Sequence, residues 1–135
     1  MAFVPFGQSV PLRLAAGGRI GFQFRLDFDP READGRIDLI LVSYAARILE
    51  SGGREILVFH WHPESVSPVK HPHIHLSSRI RPIPLEPVGL TLSLAAHHIP
   101  TGPVALADVV RYLIADAGVE PRRPDWPDIL GVSAT

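Results

Sequence analysis

Cysteine and asparagine are absent from the 135 residues, and lysine and methionine occur once each. Without cysteine there can be neither a disulfide framework nor a thiolate metal site. Charge of either sign is also in short supply as a surplus: the formal net charge is −1. Such a chain has no global attraction for nucleic acid or an anionic membrane, so any polyanion contact must come from a local patch. No run reaches about 18 uninterrupted apolar residues, which excludes a spanning helix of the usual kind. The N-terminal residues lack the basic start and long apolar stretch of a signal peptide. These features fit a small cytoplasmic protein that makes no use of a membrane. Fourteen prolines without asparagine fit a GC-rich bacterial coding sequence or a heat-tolerant protein.

What is present is an ordinary globular balance, 46% hydrophobic and 20% charged, in a chain long enough to bury one core. Residues 1–135 are read as a single domain. Residues 10–14 form a short candidate strand. Over residues 19–28, Ile20, Phe22, Phe24, Leu26 and Phe28 alternate with Arg19, Gly21, Gln23, Arg25 and Asp27. One buried and one wet face follow, as in an antiparallel sheet. Residues 29–35 read as a charged connector, 36–49 as a long strand, and Ser51, Gly52 and Gly53 as the turn into a strand over 54–62. A strand over 71–81 follows. Pro82, Pro84 and Pro87 make 83–88 an irregular crossing, and 90–96 suits a sixth strand. Leu106, Val109, Val110, Leu113, Ile114 and Ala117 recur at helical spacing, predicting a helix over 104–117 that Gly118 ends as a C′ glycine. Asp125 opens a terminal turn anchored by Trp126. The expected fold is α+β, an antiparallel five- or six-stranded meander packed on one face by the C-terminal helix. That helix should cover Phe22, Phe24, Phe59 and Trp61.

Five of the seven histidines lie within 60–75, at His60, His62, His71, His73 and His75. Spacings of two put His60 with His62, and His73 with His75, on common strand faces. The Pro- and Ser-rich stretch 63–72 reads as the loop between the strands. Pairing His62 with His73 and His60 with His75 gathers four imidazoles on one face, with Trp61 opposite Ile74 on the other. Ser77, Arg79 and Arg81 continue the same face, and Arg25 and Gln23 are candidates to join it.

Imidazoles beside guanidiniums suit phosphodiester cleavage without a metal. One of His60, His62, His73 and His75 would act as base and another as acid. Arg25, Ser77, Arg79 and Arg81 would bind the substrate and stabilise developing charge. RNA is the expected substrate class. The competing reading has no turnover: the same four histidines hold zinc or another divalent transition metal, with Glu64 as an available oxygen, or serve a protein interface. A homodimer burying the histidine face is a further possibility, as is a solvated face that merely tolerates histidine. His71 reads as a loop residue, and His97 and His98 as caps of the helix start or as bonded to backbone, with reach to the edge of the histidine patch as the alternative. No helical His-Glu-x-x-His is present, and Glu64 stands too close to His62 for the cupin spacing.

The run His71, Pro72, His73, Ile74, His75, Leu76 resembles the signature of the histidine triad nucleotide hydrolases, and implies attack by a histidine on an α-phosphate. Pro72 and Ser77 depart from that signature, and the long helix expected upstream is replaced by strand-like sequence. The layout of the chain resembles that of the TumE-type toxins of bacterial toxin–antitoxin pairs. The matching stretches are 58–62, with its aromatic and histidine residues, the Pro–His segment 72–75, and the helix from Val104. This resemblance implies an RNA-directed toxin with an antitoxin-like protein partner.

Overall fold

A computed structural model describes residues 2–4, 7–77, 83–85, 90–92 and 98–131. Its strands are β1 (Ala2–Val4), β2 (Val10–Arg13), β3 (Arg19–Ala33), β4 (Arg36–Leu49), β5 (Glu55–Trp61), β6 (His73–Leu76), β7 (Ile83–Leu85), β8 (Leu90–Leu92) and β9 (Ile99–Pro100). Two helices follow, α1 (Leu106–Ala115) and the single turn α2 (Trp126–Ile129). The main sheet runs β1-β3-β4-β5-β6-β9, with β2 beside β1 along the outer edge of β3. Every pairing in it is antiparallel. The sheet is therefore six strands wide with a β3–β6 meander at its centre, the α+β architecture that the alternating pattern implies.

The strictly alternating segment of β3 sets the two faces. Phe22, Phe24 and Leu26 pack toward a core of Tyr44, Ala46, Ile48, Leu57 and Phe59. Against that core α1 lays Val109 and Leu113, 1% and 2% exposed. Full burial of two such side chains contributes about 1.5–3 kcal/mol each. Ala46, with no exposed surface, keeps the sheet low beneath the helix. The Phe59 and Tyr112 rings meet edge-on with centroids 5.8 Å apart, and the Val104 amide donates to the Tyr44 hydroxyl at 3.3 Å. Trp61 also packs on the core, as expected. After α1, Gly118 adopts φ 75°, and the Val119 amide turns back to the Leu113 carbonyl at 2.8 Å.

Two segments differ from expectation. Residues 29–35 are not a connector: β3 and β4 continue as a hairpin to Asp34 and Gly35, whose φ values are 52° and 72°. Positive φ at both turn residues matches the two-residue hairpin turn that Asp-Gly favours. Pro30 is compatible with this arm, because on a two-stranded ribbon alternate N–H groups point outward to no strand. Ile37, Leu39 and Ile40 are exposed on it. Residues 83–85 are likewise not irregular, since β7 pairs with β8 in a separate two-stranded sheet. Leu90–Leu92 thus belongs to that ribbon, and β9 occupies the sixth position of the main sheet. Residues 93–96 lie outside the described residues.

No helix among the described residues is long and apolar enough to cross a membrane.

Candidate metal centre

The histidine strands pair, in a register two residues from the expected one. His60 is opposite His73 and Val58 opposite His75, with Phe59 opposite Ile74. The Ser77 amide continues the ladder to the Ile56 carbonyl at 2.9 Å. A two-residue slip leaves every side chain on its original face, so the four histidines still share one. Trp61 is what the slip releases. Instead of facing Ile74 it is opposite Tyr44, and its indole N–H donates to the Lys70 carbonyl at 3.2 Å, closing the loop on itself.

The register brings three ring nitrogens together. His60 Nδ1 lies 3.1 Å from His73 Nε2, and His73 Nε2 lies 3.0 Å from His75 Nε2. One ligand atom from each of the three falls within 4.8 Å of the others. His73 is the centre of the group and is 3% exposed. Its Nδ1 lies 2.8 Å from the His71 carbonyl oxygen. A carbonyl only accepts, so Nδ1 carries the proton, and in the neutral ring the Nε2 lone pair points at His60 and His75. A backbone carbonyl holding the distal N–H is the usual outer support of a metal-ligating imidazole.

Two further histidines border the group. The His62 ring is edge-on to His60 at a centroid distance of 4.2 Å. His98 is 4.9 Å from His73 and 4.4 Å from His75, so it is no helix cap. It arrives because β9 pairs with β6, His73 opposite Pro100 and Ile74 opposite Ile99. Continuing that register places His98 across from His75. The signal is non-local, and nothing near His98 in the sequence announces it. His71 contributes its carbonyl; its ring centroid is 6.0 Å from that of His73. Glu64 is exposed in the loop and stands apart from the cluster.

The face expected to be open has a buried floor. Asp27, Ser43, Ala45 and Val58 are all buried there. Asp27 takes the Arg25 Nε–H at 2.9 Å and the Ser43 hydroxyl. Burial alone would raise the Asp27 pKa, but the bonds from Ser43 and Arg25, aided by the Arg25 and His62 charges, hold it below the usual value. Arg25 thus joins the histidine face as expected, with His60, His62 and His75, and with Arg47 and Glu55, around a cavity of about 260 Å³. Ser77 lines a neighbouring cavity with Arg54, Glu55 and His75. Arg79 and Arg81 lie outside the described residues, as does His97.

Burial, then the neighbouring His62, His73, His75 and Arg47, pull the His60 pKa down to about 4. His62 is lowered chiefly by burial, against the pull of Asp27, and His75 by burial and then by His98 and His73. At neutral pH these three rings are uncharged, the form in which imidazole binds a metal and in which it cannot act as a general acid.

No family model matches the chain, and no curated protein and no solved structure matches it.

Proposed function

We propose that the protein binds a divalent transition metal of the zinc class through His60 Nδ1, His73 Nε2 and His75 Nε2. The observation that carries this reading is the fixed tautomer of buried His73, whose Nε2 is aimed at two other histidine nitrogens. Tetrahedral zinc with bonds of about 2.0–2.1 Å requires ligand nitrogens about 3.3 Å apart. The two contacts to His73 Nε2, 3.1 and 3.0 Å, would expand slightly to reach that spacing, and the His60 and His75 nitrogens, all within 4.8 Å, would close on the same ion. Imidazole-only ligation suits zinc, copper or nickel. Three protein ligands leave one tetrahedral position for water or for His98, which is the arrangement of a metal that can activate a water molecule.

Metal analysis of untagged protein tests this. One equivalent of zinc, copper or nickel per chain, lost in His73→Ala, is expected; less than about a tenth of an equivalent, with no uptake on addition, would overturn it.

The second reading is a metal-independent RNA-directed nuclease or toxin, cytoplasmic and held by an antitoxin-like partner. Arg25 beside His60, His62 and His75 in one cavity favours it, as does the layout resemblance to the TumE-type toxins. The depressed pKa values count against His60, His62 or His75 as its acid at neutral pH. RNA cleavage that survives EDTA would select it over the metal reading.

A further inference from the structure

We infer that the cavity beside the three histidines binds a tetrahedral oxyanion of the phosphate class, held between the metal and the guanidiniums of Arg25 and Arg47. The inference rests on the metal reading and adds a ligand to it. His60 and His75 stand on the cavity wall, while His73 is buried behind them. A metal held by these three nitrogens would have the cavity on its His60 and His75 side, and its fourth position would be open to a ligand there where His98 does not take it.

Arg25 on β3 and Arg47 on β4 supply another wall. They are set two pairs apart along the ladder, Arg25 opposite Ala45 and Gln23 opposite Arg47. Asp27 takes the Nε–H of Arg25, whereas Glu55 Oε1 lies 4.0 Å from Arg47 Nε, an ion pair without a hydrogen bond. A divalent ion held by the histidines would add positive charge beside these guanidiniums. Ion and guanidiniums then face a common space, and guanidinium forks suit a tetrahedral oxyanion. The volume of about 260 Å³ admits a phosphoryl group with a small ester and is below the range of pockets that enclose a drug-sized ligand.

Cobalt(II) serves as a visible substitute for zinc in the test. Full-length protein is titrated with cobalt, then with orthophosphate, and in a separate arm with acetate. The d–d bands should appear with one equivalent of cobalt and shift on adding phosphate, with acetate at least about tenfold weaker. Arg47→Gln should keep the cobalt bands and weaken phosphate by about tenfold or more, the effect of losing a charged hydrogen bond. Cobalt bands indifferent to about 10 mM phosphate, stripped by it, or shifted equally in Arg47→Gln would overturn the oxyanion site while leaving the metal reading intact. Equal response to acetate would overturn the assignment to the phosphate class. No cobalt bands at all would overturn both.

Discussion

On β4 and β5, Tyr44, Ala46, Ile48, Leu57 and Phe59 turn toward α1, whereas Ala45, Arg47, Val58 and His60 turn toward the histidine side. The two faces are made by alternate residues of the same strands and are held by different means. Apolar burial under one helix secures the first. Polar pairs secure the second: Ser43 and Arg25 to Asp27, and a backbone carbonyl to His73. Non-directional packing fixes which face is inside; directional bonds fix where individual atoms of the other face point. The second brings three histidine nitrogens within 4.8 Å of one another.

The difference can be broken one face at a time. Leu113→Ala should cost about 2–5 kcal/mol, as large-to-small changes in a packed core do, and be read as an earlier urea midpoint. Metal stoichiometry of the folded fraction should not change. On the other face Ser43→Ala leaves the buried Asp27 carboxylate short of a donor. A loss of about 1–3 kcal/mol is expected, with a rise in the Asp27 pKa measurable by NMR titration. An unchanged pKa would show that Arg25 alone sets it.

Acid separates the faces without a mutation. The folded-state pKa of His60 is below its ordinary value of 6.5, at about 4, and His62 and His75 are lowered too. Between those values the unfolded chain binds more protons than the folded one, so stability present above pH 6.5 is lost as pH falls toward 4. Metal-free protein should melt a few degrees lower at pH 4.5 than at pH 7, a modest effect because these rings keep solvent access. His60→Gln should flatten the slope, whereas Leu113→Ala should lower the whole curve and keep it. The smallest effect is expected on the hairpin arm, remote from both faces. Gly35→Ala forces a side chain into φ 72° at about 1 kcal/mol, leaving metal uptake and the acid slope unaltered.

Much of the first face is legible in the sequence, and less of the second. The Phe22, Phe24, Leu26 alternation and the Val109, Leu113 spacing state their burial locally. The shared face of His60, His62, His73 and His75 is equally readable, because parity survives a slip of two. The register itself is not: Ile74 finds an aromatic partner in Phe59 as readily as in Trp61, and the choice falls to the indole bond to Lys70 across the loop. His98 depends on the pairing of β9 with β6, whose partners are separated by more than twenty residues. Asp34-Gly35 did carry a local turn signal, masked by Pro30 and the surrounding charges. The buried floor beneath the histidines follows from Ser43 meeting Asp27, a contact that only the β3–β4 register creates.

The central claim is that His73 organises a metal centre, and zinc competition against a chromophoric chelator at pH 7 tests it most directly. Wild-type protein should take up one equivalent with a Kd of about 1 μM or tighter, and His73→Ala should bind about 100-fold more weakly or not at all. No saturable uptake by the wild type, or equal uptake by the folded variant, would contradict it.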